Sequence, residues 1–289
     1  MELVRELITT EALPSASVLL LRDGDYGLEV FLLKRHASSD VLGGAYVFPG
    51  GKVDAADVDW AARGDLSPDR QHALLAEPEL SAEQAAALFV AAIREVFEEA
   101  GVLFADLEPA RVRELWPGLR AGRSFAELLE PLGTRLAPSL LQPWSRWVTP
   151  TRPSLGRKRF DTRFFVAAVP SGQEPTHDTH EATESTWLPP RTALRQYWER
   201  QIDLAPPQIL SLAHLARHAS VASVLEEARR VPPPCIRPHP LELDGRRVVC
   251  YPGDPLHPEP RQLLPGPTRL VWADGHFETE AGLGILLGE

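Results

Sequence analysis

Between positions 81 and 100 the apolar residues recur at a spacing that a helix satisfies and a strand does not. Ser81 opens the segment with Gln84 three residues on, a capping-box start. Gly101 follows the last periodic residues, where a helix commonly stops. The pattern predicts one helix of about five turns at ~3.6 residues per turn. At ~100° per residue, Ala85, Leu88, Phe89, Ala92 and Val96 fall on one stripe, which Val90, Ile93 and Phe97 widen.

Acids crowd the other edge of that helix. Glu95, Glu98 and Glu99 lie close together, and Glu99 falls between Leu88 and Ala92, inside the apolar margin. Glu95 and Glu99 are also a like-charge pair four apart, which disfavours an isolated helix. Arg94 is the only strong base on the segment. Two readings compete: a solvated acidic face, the usual fate of such a cluster, or a site for a hard divalent cation with oxygen ligands.

An apolar run before the helix ends in Phe48-Pro49-Gly50-Gly51-Lys52-Val53-Asp54, a Pro-Gly-Gly turn. Together with Arg94-Glu95-Val96-Phe97-Glu98-Glu99-Ala100-Gly101-Val102 it resembles the Nudix box of the Nudix hydrolases. That pattern is Gly, five residues, Glu, seven residues, then Arg-Glu-(apolar)-x-Glu-Glu-x-Gly-(apolar). The second half matches at every defined position. In the first half, with Gly51 as the box glycine, the acid falls on Asp57 where the pattern has Glu. Arg94 stands 43 positions after Gly51, against about 14 in the uninterrupted box, so roughly 29 residues are extra. The inserted segment is read as about 58–80, with a short helix starting at Ser67-Pro68.

The resemblance implies an α/β fold, the Nudix α/β/α sandwich around a mixed β-sheet. Residues 1–200 would form the Nudix domain, and 201–289 a helical and Pro-rich extension packed on it. The periodicities agree. Segments 16–22 and 28–34 read as a strand pair across Asp23-Gly24-Asp25-Tyr26-Gly27, and 45–48 as a short strand. Segment 108–132 is helical with a break near Pro117-Gly118. Segments 141–149 and 160–169 read as strands, the latter fully apolar from Phe164 to Val169 as in a buried central strand. Three short helices are expected over 191–200, 207–217 and 221–230, then two strands over 246–251 and 268–277.

Composition limits the partners. The net charge of −10 argues against a general nucleic-acid binder, which carries a basic face. No run approaches 18 apolar residues, so no membrane span is expected, and residues 1–10 lack the apolar core of a secretion signal. Cys235 and Cys250 form no zinc pattern and read as reduced thiols of a cytoplasmic protein, with a disulfide between them the alternative.

By resemblance, the reaction is hydrolysis of a diphosphate in a nucleoside diphosphate derivative, with Mg²⁺ or Mn²⁺ as cofactor and a small diphosphate molecule as partner. Glu98 and Glu99 would be the main metal ligands, with Glu95 joining them and Arg94 orienting the glutamates. Gly50, Gly51, Lys52 and Arg35 would meet substrate. Glu181, in the loop before a strand ending in Trp187, is the candidate for a further catalytic acid, with Glu184 the alternative. The bases Arg152, Arg157, Lys158 and Arg159 form a patch that either meets phosphates or is a solvated loop. His177 and His180 are a weak metal signal.

The run from Leu32 to Gly51 and the insert are similar to the branch containing peroxisomal acyl-coenzyme A diphosphatases. A second Arg of the stricter coenzyme A signature is missing, because Ser38, Ser39 and Asp40 stand there. The alternatives are a nucleoside diphosphate sugar or dinucleotide pyrophosphatase, or a non-catalytic nucleotide-sensing module. A homodimer is left open.

Overall fold

The computed structural model describes residues 7–39, 42–153, 155, 158–178 and 182–289. A mixed sheet runs through its centre. In chain order, β1 (Leu13–Gly24) and β2 (Gly27–Arg35) pair antiparallel, then come β3 (Tyr46–Val47) and β4 (Gly50–Lys52). The insert follows with α1 (Ala55–Trp60) and α2 (Pro68–Leu75), and leads into α3 (Ala82–Ala100). After α4 (Pro109–Arg120) and α5 (Phe125–Leu129) come β5 (Gln142–Val148), β6 (Phe160–Ala168) and β7 (Ala182–Leu188). The chain continues through α6 (Pro190–Trp198), α7 (Pro206–Leu215) and α8 (Val221–Arg230) to β8 (Cys235–Ile236). It ends with β9 (His239–Leu243), β10 (Arg246–Cys250), β11 (Arg269–Ala273), β12 (His276–Glu278) and α9 (Leu283–Leu287).

The main sheet has the order β3-β2-β1-β6-β5-β8, with β4 also on β1 and β7 also on β2. β1 and β6 run parallel, and β5 pairs antiparallel with β6, so the apolar strand expected at the centre is central. Strand side chains alternate between two faces. Val18, Leu20, Phe31, Leu33, Phe165 and Ala167 enter one core with α3. Leu19, Leu21, Val30, Leu32, Phe164 and Val166 enter the other with α6, α7 and α8. This is the α/β/α sandwich the resemblance implies. Strands β9 to β12 form a separate antiparallel sheet.

The caps of α3 are those the sequence predicts. Ser81 Oγ accepts from the Gln84 amide at 3.1 Å, Gln84 Oε1 accepts from the Ser81 amide at 2.8 Å, and Gly101 closes the helix at φ 67°. Its burial exceeds the expected stripe, since Ala86, Ala87 and Ala91 are buried as well. The insert is the reason. Trp60 of α1 and Leu75 of α2 belong to the same core as α3 and cover its second side. A buried ion-pair network ties the insert to the sheet: Arg163 donates to Glu77 at 3.0 and 2.5 Å, and Arg146 binds Glu77, Glu79 and Asp161.

Four local expectations change. Gly50 and Gly51 belong to β4, which pairs with β1, and not to a simple turn. The expected insert helix is α2, but a further short helix, α1, begins before the insert and carries Asp57. Helix α4 runs through Pro117 to Arg120, because a proline this close to the helix end removes little of the hydrogen-bond ladder. The single strand expected over 268–277 is the hairpin β11–β12, turning at Asp274 (φ 48°) and Gly275 (φ 81°). An Asp-Gly pair with both residues left-handed is a favoured two-residue hairpin turn.

Candidate active site

Arg94 organises the site. It is buried on α3 and spreads its guanidinium over three carboxylates and a carbonyl. Its Nε donates to Asp57 Oδ1 at 2.8 Å and its Nη2 to Asp57 Oδ2 at 3.0 Å, a two-point pair that Arg alone among side chains can make. Its Nη1 donates to Glu95 Oε1 at 2.8 Å and Glu98 Oε2 at 3.1 Å, and its Nη2 also donates to the Lys52 carbonyl at 2.9 Å. Burial alone would lower the Arg94 pKa, but the Asp57 hydrogen bonds and the charges of Glu95, Asp57 and Glu98 hold it above its usual range.

Asp57 is the residue the sequence pattern underrated. It is 1% exposed, and its Oδ2 also accepts from the Asp54 amide at 2.8 Å. The insertion therefore leaves the link between the box's first acid and its arginine in place. The signal was available as the sixth residue after Gly51, carrying Asp in place of Glu.

The Gly50–Gly51 segment meets the helix from the sheet side. The Gly50 amide donates to Glu99 Oε2 at 2.8 Å, so Glu99, 5% exposed, is held by backbone. A Cβ on Gly50 would strike the Ala16 carbonyl and the Ser17 backbone, and one on Gly51 would strike the Glu95 carboxylate. Both positions need glycine for close approach.

Glu95, Glu99, Gly50, Gly51, Lys52 and Arg35 line one cleft of about 560 Å³, with Ser15, Ser17, Lys158, Thr162 and Gln208. That is the size of a small-molecule site. Glu98 does not line it, although Arg94 holds Glu98 beside Glu95. Arg35 lines the cleft, and its Nε is buried with no hydrogen-bond partner among the described residues. Of the basic patch, Lys158 lines the cleft, whereas Arg159 donates to the Thr149 and Thr10 carbonyls and acts as a brace. Arg157, His180 and Glu181 lie outside the described residues. His177 Nδ1 is 3.0 Å from Ser185 Oγ, and Glu184 pairs with Lys34 at 3.6 Å.

A second cavity of about 210 Å³ adjoins the cleft and shares Leu42, Lys158, Phe160, Thr162, Phe164 and Gln208 with it. Its walls are mostly apolar and combine Trp147, Val148 and Phe164 of the central strands with Pro206, Pro207, Pro240 and Val249 from beyond residue 200. Gln208 and Tyr251 line this annex, and Gln208 Oε1 and the Tyr251 hydroxyl are buried with no hydrogen-bond partner among the described residues. Sequence reasoning did not find Gln208 or Tyr251, because neither belongs to a motif.

The fold and this site define the class, a Nudix hydrolase, an enzyme that cleaves a diphosphate linkage. A model of the NUDT19 Nudix domain matches residues 8–215, and the chain belongs to that family. Acyl-coenzyme A diphosphatase NUDT19 of Gallus gallus is 29% identical, over 82% of this chain and 74% of the relative. The Homo sapiens protein of the same name is also 29% identical with the same coverage. Among solved structures, a NUDIX hydrolase from Alicyclobacillus acidocaldarius is 28% identical with a TM-score of 0.60, over 75% of this chain and 97% of that one. Among the described residues no helix is long and apolar enough to cross a membrane.

Proposed function

We propose that this enzyme hydrolyses the diphosphate of coenzyme A or its thioesters, releasing 3′,5′-ADP and a phosphopantetheine or its acyl form. The observation that carries the reading is the continuity of the carboxylate-lined cleft with an apolar annex whose lining includes Gln208 and Tyr251. A pantetheine arm is largely apolar but has amide and hydroxyl groups, which Gln208 Oε1 and the Tyr251 hydroxyl suit as acceptor and donor or acceptor. The relatives named acyl-coenzyme A diphosphatases support the same substrate class.

Glu95, Glu98 and Glu99 would hold the cation, and their all-oxygen donor set fits Mg²⁺ or Mn²⁺. When bound, such an ion neutralises phosphate oxygens and lowers the pKa of a water. The chain supplies the positioning. Arg94 fixes the orientations of Glu95 and Glu98, and the Gly50 amide fixes Glu99. Arg35, Lys52 and Lys158 bring positive charge to the diphosphate oxygens. Water attacks one phosphorus, the bridging P–O bond breaks, and the water's proton passes to a carboxylate of the site. Glu181 is kept as the candidate for that acid. The compartment proposed is the cytoplasm, in keeping with two free thiols.

The test is product analysis by mass spectrometry. With Mg²⁺, the protein is offered coenzyme A, acetyl-coenzyme A, ADP-ribose, NADH, UDP-glucose and a diadenosine polyphosphate. Release of 3′,5′-ADP from the first two alone is the expected result. Cleavage of another compound in their place overturns the coenzyme A reading and keeps the hydrolase.

A further inference from the structure

A second polar cluster lies away from the cleft carboxylates, where the end of α7 meets α8. His214 lies on the last turn of α7 and His218 just beyond its end. Both meet Glu227 of α8. His214 Nε2 is 2.8 Å from Glu227 Oε1, and His218 Nε2 is 3.2 Å from Glu227 Oε2. Ligand atoms of the three residues all lie within 4.8 Å of one another. Trp144 covers the two rings, with centroids 4.3 Å from His214 and 6.0 Å from His218. Among the described residues, Glu227 forms ion pairs with the two histidines and with no Arg or Lys. The adjacent Arg217 donates to the Ala213, Ile285 and Leu286 carbonyls, and its charge still acts on His214.

His218 Nδ1 lies 3.1 Å from Ser223 Oγ, which also reaches the Ser220 carbonyl at 2.9 Å. This is the outer arrangement of a metal-bound histidine, one nitrogen toward the ion and the other on an oxygen partner. The outer nitrogen of His214, Nδ1, is buried with no hydrogen-bond partner among the described residues.

We propose that His214, His218 and Glu227 form a second metal site that takes a transition-metal cation of the Zn²⁺ type. Two imidazole nitrogens and one carboxylate are a known three-ligand set for zinc, and nitrogen donors set the site apart from the oxygen-only carboxylate cleft. Bonds of about 2.0–2.1 Å in tetrahedral geometry place ligand atoms about 3.3 Å apart, so three atoms now within 4.8 Å of one another would turn and draw in about the ion. The ion would join α7 to α8. The other end of α7 carries Pro206, Pro207 and Gln208, walls of the annex, so the clasp would stiffen that wall from a distance.

The experiment measures bound zinc on the full chain, stripped by a chelator and then dialysed against Zn²⁺ in a large excess of Mg²⁺. The excess Mg²⁺ occupies the carboxylate cleft. The expected result is stoichiometric zinc in the wild type and in a Glu98→Gln, Glu99→Gln double variant. It is lost in Glu227→Gln and in His218→Asn, with melting curves showing that both remain folded. Co²⁺ in place of Zn²⁺ should give the intense visible absorption of a tetrahedral site in wild type, absent from these two variants. No zinc retained by the wild type, or zinc retained unchanged by both variants, overturns the proposal and leaves the three side chains a protonated His–Glu clasp only.

Discussion

Asp57 and Arg94, 37 positions apart, face each other through two hydrogen bonds of 2.8 and 3.0 Å, both side chains nearly sealed from solvent. Asp57 sits on α1, and the insert that follows leaves this pair intact and covers the helix that carries Arg94.

Removing one partner of such a pair leaves an uncompensated buried charge. Asp57→Ala should lower stability by about 3–5 kcal/mol, read from urea unfolding, and lower turnover in what remains folded. Asp57→Asn should fall between the two, since it keeps one acceptor. A stability change within experimental error would show that Arg94 is neutralised by the glutamates alone.

If Glu98 and Glu99 hold the proposed cation, Glu98→Gln and Glu99→Gln should each reduce turnover by at least ~10²-fold, because each would remove a charged ligand and not merely an outer contact. Gln keeps an acceptor, so the Gly50 amide stays paired and the fold persists. Mg²⁺ should raise the melting temperature of the wild type and not that of the double variant. Equal responses would count against the metal roles.

The two glycines separate folding from activity. An added Cβ on Gly50 meets backbone that cannot move, so Gly50→Ala should cost about 1–3 kcal/mol of stability. On Gly51 the Cβ meets the end of the Glu95 side chain, which can swing away. Gly51→Ala should therefore fold close to normally and lose activity. The reverse order in paired melting and rate measurements would contradict the geometry.

Gln208 is buried with an unpaired Oε1 at the junction of cleft and annex. If that oxygen receives a substrate N–H, Gln208→Leu should raise KM for coenzyme A about 5–10-fold with kcat little changed. Stability should hold or rise, because an unsatisfied acceptor disappears. A purely structural residue would show the opposite, a lower melting temperature with KM unchanged.

Cys250 is fully buried, and burial, with Asp254 beside it, pushes its thiol up to about 11. The thiolate is the reactive form. At pH 8 a thiol reagent should label Cys235, half-buried, and reach Cys250 only after unfolding. Rapid labelling of both would show that β10 opens readily.

Much of the site was legible because a helix turns proximity in space into spacing in sequence. Arg94, Glu95, Glu98 and Glu99 sit within two turns of α3, so their grouping is local. The alternating strands β1, β2 and β6 and the caps of α3 were legible for the same reason, being set by near neighbours. The Asp57–Arg94 contact and the place of Gln208 were decided otherwise. A 37-residue separation carries no periodic signal, and the Asp57–Arg94 pair exists because α1 folds back on α3. The annex is walled by residues from β5, α7, β9 and β10, which only the packed sheet layers bring together. Local chemistry fixed the helix, its caps and its acids. Burial and long-range pairing decided which carboxylates face the cleft, which cations serve it and what shape of molecule it admits.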